Sequence, residues 1–279
     1  MARFRIQTLN SISPKGLSRL PVELYEHGNG VTAPDAVLVR SQDMHEREIP
    51  ASVLAVGRAG AGTNNIPVAK LTARGVPVFN APGANANAVK ELVLAGLLIG
   101  ARNIVAAVRF VEGLESTDAA LERQVEEGKK LFAGFELPHH TLGVIGLGKI
   151  GSLVADAAIK LGMDVIGYDP EITVDAAWSL PAQVKRAHSI EELVRGSDFI
   201  SVHVPQVPAT VGLIDEKRIA LMRDGAVLLN FAREAIVDNA AVLGALRSKK
   251  LRAYVCDFPA AMLRGEPGVV ALPHLGAST

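Results

Sequence analysis

The sharpest chemical signal in the sequence is Gly146-Leu147-Gly148-Lys149-Ile150-Gly151. An apolar run at 142–145 leads into it, an Ala-rich helical pattern follows, and a second apolar run ends at Asp169. This spacing suits a diphosphate. Gly146 permits a tight turn, Gly148 lets a pyrophosphate approach bare backbone, and Gly151 lets the helix pack close to the strand. The helix N-terminus then offers free N–H groups to the phosphates. Asp169 lies eighteen residues beyond Gly151, near the roughly 20 expected of a carboxylate that binds the adenosine ribose hydroxyls. Its charge would repel a 2′-phosphate, and Pro170-Glu171 supply no arginine to hold one. NAD is therefore expected rather than NADP.

A nicotinamide cofactor implies hydride transfer. With a hydroxy acid as substrate, such chemistry needs an arginine for the carboxylate and carbonyl, and an acid/base for the hydroxyl proton. In open parallel sheets these groups stand at the carboxyl ends of strands. Arg233 follows the run AVLLNFA, His274 follows VVAL through Leu272-Pro273, and Asp257 ends AYVC. Each also has a bland reading: Arg233 a surface charge, His274 a structural histidine, Asp257 a turn cap rather than a partner of the cofactor's amide. His203, inside a strand, reads as a satisfied core histidine. His139-His140 read as solvated, and adjacent histidines make a poor metal site. His27, His45 and His188 show no partner in the sequence, and Cys256 reads as a small buried hydrophobe. No metal constellation is visible.

Two patterns mislead. Gly143 to Lys149 begins like a phosphate-binding P-loop, but Ile150 has no hydroxyl for magnesium. Gly57-Arg58-Ala59-Gly60-Ala61-Gly62 is glycine-rich with the spacing reversed. It reads as a backbone nest for a small anion, with Arg58 as its charge.

Short apolar runs, turns and helical patterns alternate along the chain, the signature of βα units and a parallel sheet. Strands are predicted at Phe4–Leu9, 36–40, 54–57 and 77–80, with Ser13-Pro14 starting a helix between the first two. Residues 85–114 read as one long helix, apolar on more than one face and covered by protein; 115–130 read as an exposed helix. Six further strands are predicted at 142–145, Asp164–Tyr168, 199–204, Ala226–Asn230, 253–256 and Val269–Ala271. The fold class is α/β: two open parallel-sheet domains, the second a Rossmann-type doubly wound NAD-binding domain. The first domain is placed at 1–84, and the interdomain helix with the nucleotide domain at 85–279.

At 279 residues the chain is long enough for about two domains. With 49% hydrophobic residues it can bury a sizeable core. Twenty-nine basic residues balance 29 acidic ones, which argues against nucleic acid or a membrane surface as partner. A single cysteine excludes a disulfide framework. The longest apolar run, at 92–101, is about half a membrane span. No targeting segment is visible, so a cytoplasmic protein is expected.

Several segments together resemble the D-isomer-specific 2-hydroxyacid dehydrogenase family across essentially the whole chain. They are VRS (39–41), VGRAGAGTNNI (56–66), NAPGANANAVKEL (80–92), VIGLGKIG with YDP, HVP (203–205), NFAR, IVD (236–238) and PHLGAST at the end. The GRAGAG and PHLGAST variants resemble the family's phosphoglycerate branch. The resemblance implies NAD-dependent oxidation of 3-phosphoglycerate to 3-phosphohydroxypyruvate, toward serine. A reductase for another 2-hydroxy acid, such as glycerate, is the alternative within the same chemistry. By motif match, Arg233 binds the substrate carboxylate and carbonyl, and His274 takes the hydroxyl proton. Arg40, Arg58 and Lys129 are implied for the substrate's phosphate and carboxylate. Besides Gly146, Gly148 and Gly151, the implied cofactor residues are Lys149, Ile150, Asp169, Val204, Pro205, Phe231, Ala232 and Asp257. Arg233, His274, Gly276 and Ala277 join them. The active site is expected between the domains, in a homodimer built through the nucleotide-binding domains.

Three departures stand against the family pattern. Met262 occupies the place of a glutamate that pairs with the histidine, with Glu266 as the nearest substitute. Glu234 replaces a glycine after Arg233, where it is expected to compete for the guanidinium and to strain the backbone. The chain stops at Thr279, before the helix that returns to the substrate domain, which is expected to leave apolar surface uncovered. These motivate a second reading, a catalytically weakened NAD-binding module.

Overall fold

Parallel strands covered on both faces read as unbroken apolar runs, and the central strands here do so. The computed structural model describes residues 3–114 and 117–278. The chain divides into two compact units, Met1–Asn85 and Ala86–Thr279.

The first unit contains β1 (Phe4–Leu9), α1 (Pro14–Leu17), β2 (Tyr25–Gly28), β3 (Ala36–Val39), β4 (Ala55–Arg58), α2 (Val68–Ala73) and β5 (Val78–Asn80). All pairs are parallel. The order is β2-β1-β3-β4-β5, so there are five strands where the sequence predicts four. The extra one, β2 (YEHG), is short and polar enough to pass for a loop, and it pairs only at the sheet edge. Leu9, Val37, Val39, Val56 and Leu71 form the core with Met44 and Ile66. The strand order reverses between β1 and β3, so Asn10 and Arg40, which follow them, flank the switch point.

The second unit opens with α3 (Ala86–Arg102), α4 (Ile104–Glu112) and α5 (Asp118–Gly128). One long helix was the expectation for 85–114. Asn103 instead adopts a left-handed backbone, φ 52°, and the two helices meet at 67°. Asparagine tolerates that conformation better than most residues. The helix expected over 115–130 starts at Glu115 and Ser116, outside the described residues; the remainder is α5 and a one-turn 3₁₀ segment, Lys129–Phe132.

The alternating part follows: β6 (Thr141–Ile145), α6 (Lys149–Lys160), β7 (Asp164–Tyr168), α7 (Val174–Trp178), β8 (Lys185–Arg186), α8 (Ile190–Gly196), β9 (Phe199–Val202), α9 (Glu216–Leu221), β10 (Ala226–Asn230), α10 (Asn239–Arg247), β11 (Leu251–Cys256) and β12 (Val269–Ala271). The parallel sheet runs β12-β11-β10-β9-β6-β7-β8, seven strands where six are predicted, with the two-residue β8 added at one edge. Every residue of β9 and β10 is buried. Val93, Leu97 and Ala101 of α3 cover one face with Val154, Ala155 and Ala158 of α6. Leu193, Val194, Ile219 and Val242 of α8, α9 and α10 cover the other. Gly96 and Gly100 let α3 lie against Leu229, Phe231 and Val227. Among the described residues, no single helix is long and apolar enough to cross a membrane.

Candidate active site

The strand order of the second unit reverses between β6 and β9, which opens a crevice at their carboxyl ends. The glycine turn sits there. Gly146 has φ +92°, and a Cβ on it would lie 2.9 Å from the backbone C and O of His203. A Cβ on Gly151 would overlap the carbonyl oxygen of Gly146, so the first turn of α6 touches the strand end through bare backbone. At Gly148 a Cβ would meet nothing within 4 Å. Its missing side chain serves open space at the start of α6, and a diphosphate fits that cradle. Lys149 opens the helix, and Ile150 packs against the α3–α6 core.

Asp169 closes the turn. Its Oδ2 accepts the Leu147 N–H at 2.8 Å and its Oδ1 the Glu171 N–H at 3.0 Å. A carboxylate has about four acceptor sites, so capacity remains for ribose hydroxyls. Val204 and Pro205 follow β9 on the other wall, with Val204 Cγ1 3.0 Å from the Gly146 Cβ position.

His203 only half fits the expectation of a satisfied core histidine. Its Nε2 lies 2.8 Å from Ser201 Oγ, but its Nδ1 is buried with no hydrogen-bond partner. Burial pushes its pKa down from 6.5 to about 4. His140 departs from the solvated reading too. Its ring stacks on Phe135 at 4.6 Å, and Arg252 covers Phe135 at 5.1 Å. His45, for which the sequence shows no partner, has Nδ1 2.7 Å from Asp43 Oδ1. Its contact and backbone N–H hold the Asp43 carboxyl below its ordinary pKa.

Arg233 follows β10 through the buried Phe231 and Ala232. Its backbone is extended, and its guanidinium donates to the Ala232 carbonyl at 2.6 Å. Burial lowers its pKa, yet a guanidinium stays charged at any working pH. Glu234 does not behave as expected. It is exposed, and among the described residues no ion pair joins it to Arg233. Its φ lies outside the left-handed region, so a side chain fits there.

His274 is exposed in the loop after β12, with φ 56°, a conformation uncommon for a residue with a side chain. Its ring centroid is 4.9 Å from that of Phe258. Asp257, only 1% exposed, uses both oxygens on the same loop: Oδ1 accepts the Leu275 N–H at 2.7 Å and Oδ2 the Gly276 N–H at 2.8 Å. Gly276 is buried and Ala277 half-buried beside it. Met262 is 47% exposed in the 3₁₀ turn Ala261–Leu263. Glu266, the nearest substitute carboxylate, is bound to Arg247 at 2.6 Å.

In the first unit, Arg40 and Arg58 stand at the carboxyl ends of the adjacent strands β3 and β4, where Val39 faces Arg58. Arg58 donates to the Ala59 carbonyl at 2.9 Å, and a Cβ on Gly60 would overlap its guanidinium. Two N–H groups of the expected nest are engaged within the chain. The N–H groups of Ala59 and Gly60 turn inward to the carbonyls of Val39 and Arg58, at 2.8 and 2.9 Å. Lys129 belongs to the second unit and pairs with Glu126. Among the described residues, no group of His, Cys, Asp or Glu is placed to hold a metal.

Residues 104–276 match the family model of the D-isomer specific 2-hydroxyacid dehydrogenase NAD binding domain. The chain belongs to this family. The seven-stranded sheet, the glycine turn and Asp169 all lie within the matched NAD-binding domain. It is 38% identical over 254 residues to D-3-phosphoglycerate dehydrogenase of Methanocaldococcus jannaschii, covering 88% of this chain and 46% of that protein. The Mycobacterium tuberculosis protein of the same name is 38% identical over 258 residues, covering 89% and 46%. The chain thus spans about half the length of the curated relatives it matches. Among solved structures it resembles the holo form of Rhodotorula graminis D-mandelate dehydrogenase, with a TM-score of 0.83 at 25% identity, covering 100% of this chain and 90% of that one.

Three asparagines that sequence reasoning passed over shape the family's strand-end loops in this chain. Asn10 Oδ1 accepts the N–H groups of Ser41 and Gln42 at 3.1 and 2.6 Å, and Asn65 Nδ2 donates to the Gln42 carbonyl at 2.8 Å. Asn230 holds the Arg233 segment, as described below. An asparagine directly after an apolar run was the available signal at Asn10, as was one ending the run at Asn230.

Proposed function

We propose that the chain carries out NAD-dependent oxidation of 3-phosphoglycerate to 3-phosphohydroxypyruvate, the first step toward serine. One observation carries the reading. The open Gly148 cradle, Arg233 and His274 follow β6, β10 and β12, three strands of one parallel sheet, and so share its carboxyl edge. NAD held at the glycine turn and Asp169 would supply the acceptor for the hydride that leaves C2 of the substrate. Arg233 holds the carboxylate and polarises the carbonyl through charge-assisted hydrogen bonds. His274 takes the hydroxyl proton, and its exposure allows that proton to pass to water. Arg40, Arg58 and Lys129 are assigned to the anionic groups of the substrate, and their charge favours a phosphorylated acid over glycerate. The first unit is the substrate-binding domain on this reading. The cytoplasm is the expected location and a homodimer the expected assembly.

A second reading has a specific observation behind it. Among the described residues, no carboxylate is hydrogen-bonded to the His274 ring, and Met262 cannot supply one. A catalytically weakened NAD-binding module would bind NADH without turnover. One assay separates the two: oxidation of NADH, run beside NADPH, with 3-phosphohydroxypyruvate and with hydroxypyruvate. The proposal expects turnover with NADH that favours the phosphorylated acid. Preference for hydroxypyruvate overturns the substrate, and NADH binding with no turnover on either acid selects the second reading.

A further inference from the structure

Arg233 and His274 sit on separate loops, yet their backbones are tied to two neighbouring buried residues. Asn230 ends β10 and Asp257 follows β11; they are 0% and 1% exposed, and the Asp257 N–H donates to the Asn230 carbonyl at 3.1 Å. Asn230 Oδ1 accepts the Ala232 N–H at 3.1 Å, while its Nδ2 donates to the Arg233 carbonyl at 2.9 Å and lies 3.4 Å from the Tyr254 hydroxyl. On the other side, the Asp257 carbonyl accepts the His274 N–H at 3.0 Å. The Asp257 carboxylate takes the next two N–H groups of that loop, those of Leu275 and Gly276.

We propose that Asn230 and Asp257 act as one bracket that positions both Arg233 and His274. The chemistry of each residue matches its place. Between an N–H and a carbonyl, only a group that accepts and donates fits, and a carboxamide does both. Against two consecutive N–H groups, a carboxylate fits by accepting one with each oxygen, as Asp257 does. A buried carboxylate is costly unless hydrogen-bonded, and among the described residues no cation is paired with Asp257. Its place is explained by the loop it fixes, which must hold His274 at φ 56°. The carbonyl-to-N–H link between the two residues makes the loops one unit. Asp257 is then a positioning residue for His274.

The proposal rests on the reading of Arg233 and His274 given above, and the test keeps the two apart. In Asp257→Asn, an NH₂ group faces one of the two loop amides. In Asn230→Asp, a carboxylate oxygen faces the Arg233 carbonyl. Misplacement of a reacting group by about an ångström costs up to roughly a hundredfold. Both variants should therefore lose about 10- to 100-fold in kcat with 3-phosphohydroxypyruvate, with the NADH dissociation constant changed less than about twofold. Amide exchange at Leu275 and Gly276 should quicken at least about tenfold in Asp257→Asn. Arg233→Ala and His274→Ala should abolish turnover without that change. An NADH constant that rises in step with the loss of kcat would overturn the proposal, since the loss would then lie in cofactor binding. Unchanged exchange in Asp257→Asn overturns it whatever the kinetics, even should Asn230→Asp not fold. Full turnover in Arg233→Ala and His274→Ala would sink the reading of the site, while the exchange result still decides the bracket.

Discussion

At the scale of single residues, His203 links the nucleotide crevice to pH. Its N–H donates to the Ile145 carbonyl at 2.8 Å, directly before the glycine turn, and its carbonyl is what Gly146 packs against. The ring is bonded to Ser201 through one nitrogen, and the other is buried without a partner. The unfolded chain takes up a proton near pH 6.5, whereas the native state resists it until about 4. Between those values protons favour unfolding. The contribution is absent above about pH 6.5 and grows as an acid-side loss toward pH 4, to at most about 3 kcal/mol. His203→Asn should flatten the fall in urea midpoint between pH 7 and pH 4.5. An equally steep fall in the variant would move the cause elsewhere. The HVP segment marks His203 as a strand-end histidine, and residues two apart share a strand face, so Ser201 was a readable partner. The orphan nitrogen was not readable, because it depends on which side chains fail to reach it.

At the scale of elements, the three glycines of the turn share a motif but not a physical role. Gly151→Ala must push the Gly146 carbonyl away and should cost the fold about 1–3 kcal/mol, as overpacking does. Gly148→Ala meets nothing within 4 Å, so thermal stability should move by less than about 0.5 kcal/mol. Yet its methyl group occupies the approach to the backbone, and NADH affinity should fall at least about tenfold, or 1.4 kcal/mol. Thermal melts with NADH titrations of both variants check the contrast; a Gly148→Ala chain with unaltered affinity would show that the diphosphate lies elsewhere. The sequence carries these roles because a strand–turn–helix unit is local. It does not carry the edges: β2 and β8 are short and polar, with no apolar run to announce them. It also hides the bend at Asn103, because the apolar pattern runs on through it while one left-handed residue redirects the chain. The Glu266–Arg247 pair is likewise a matter of tertiary contact between residues nineteen apart.

At the scale of the whole molecule, the bend at Asn103 leaves α4 with an apolar face and no buried residue. Ile104, Val108 and Val111 recur at helical spacing and are 43%, 49% and 50% exposed. Phe110 turns the other way, onto Gly128 and Phe132. A contiguous apolar stripe of this kind marks an interface more often than a free surface. Three side chains cannot hold a dimer alone, since a stable interface covers about 800 Å² on each partner. Leu131, 76% exposed in the segment that packs on α4, widens the patch. On the homodimer reading proposed above, a second copy across this face would account for the apolar character of a helix that contributes no buried residue within one chain. Sedimentation equilibrium at micromolar concentration should therefore find dimers, and Val108→Glu should shift them toward monomers while leaving NADH binding in place. The charge sits on the stripe and not at the carboxyl edge of the sheet, so a loss of NADH affinity in step with dissociation would mean that assembly and nucleotide site are coupled, and a variant that stays dimeric would place the interface on another face.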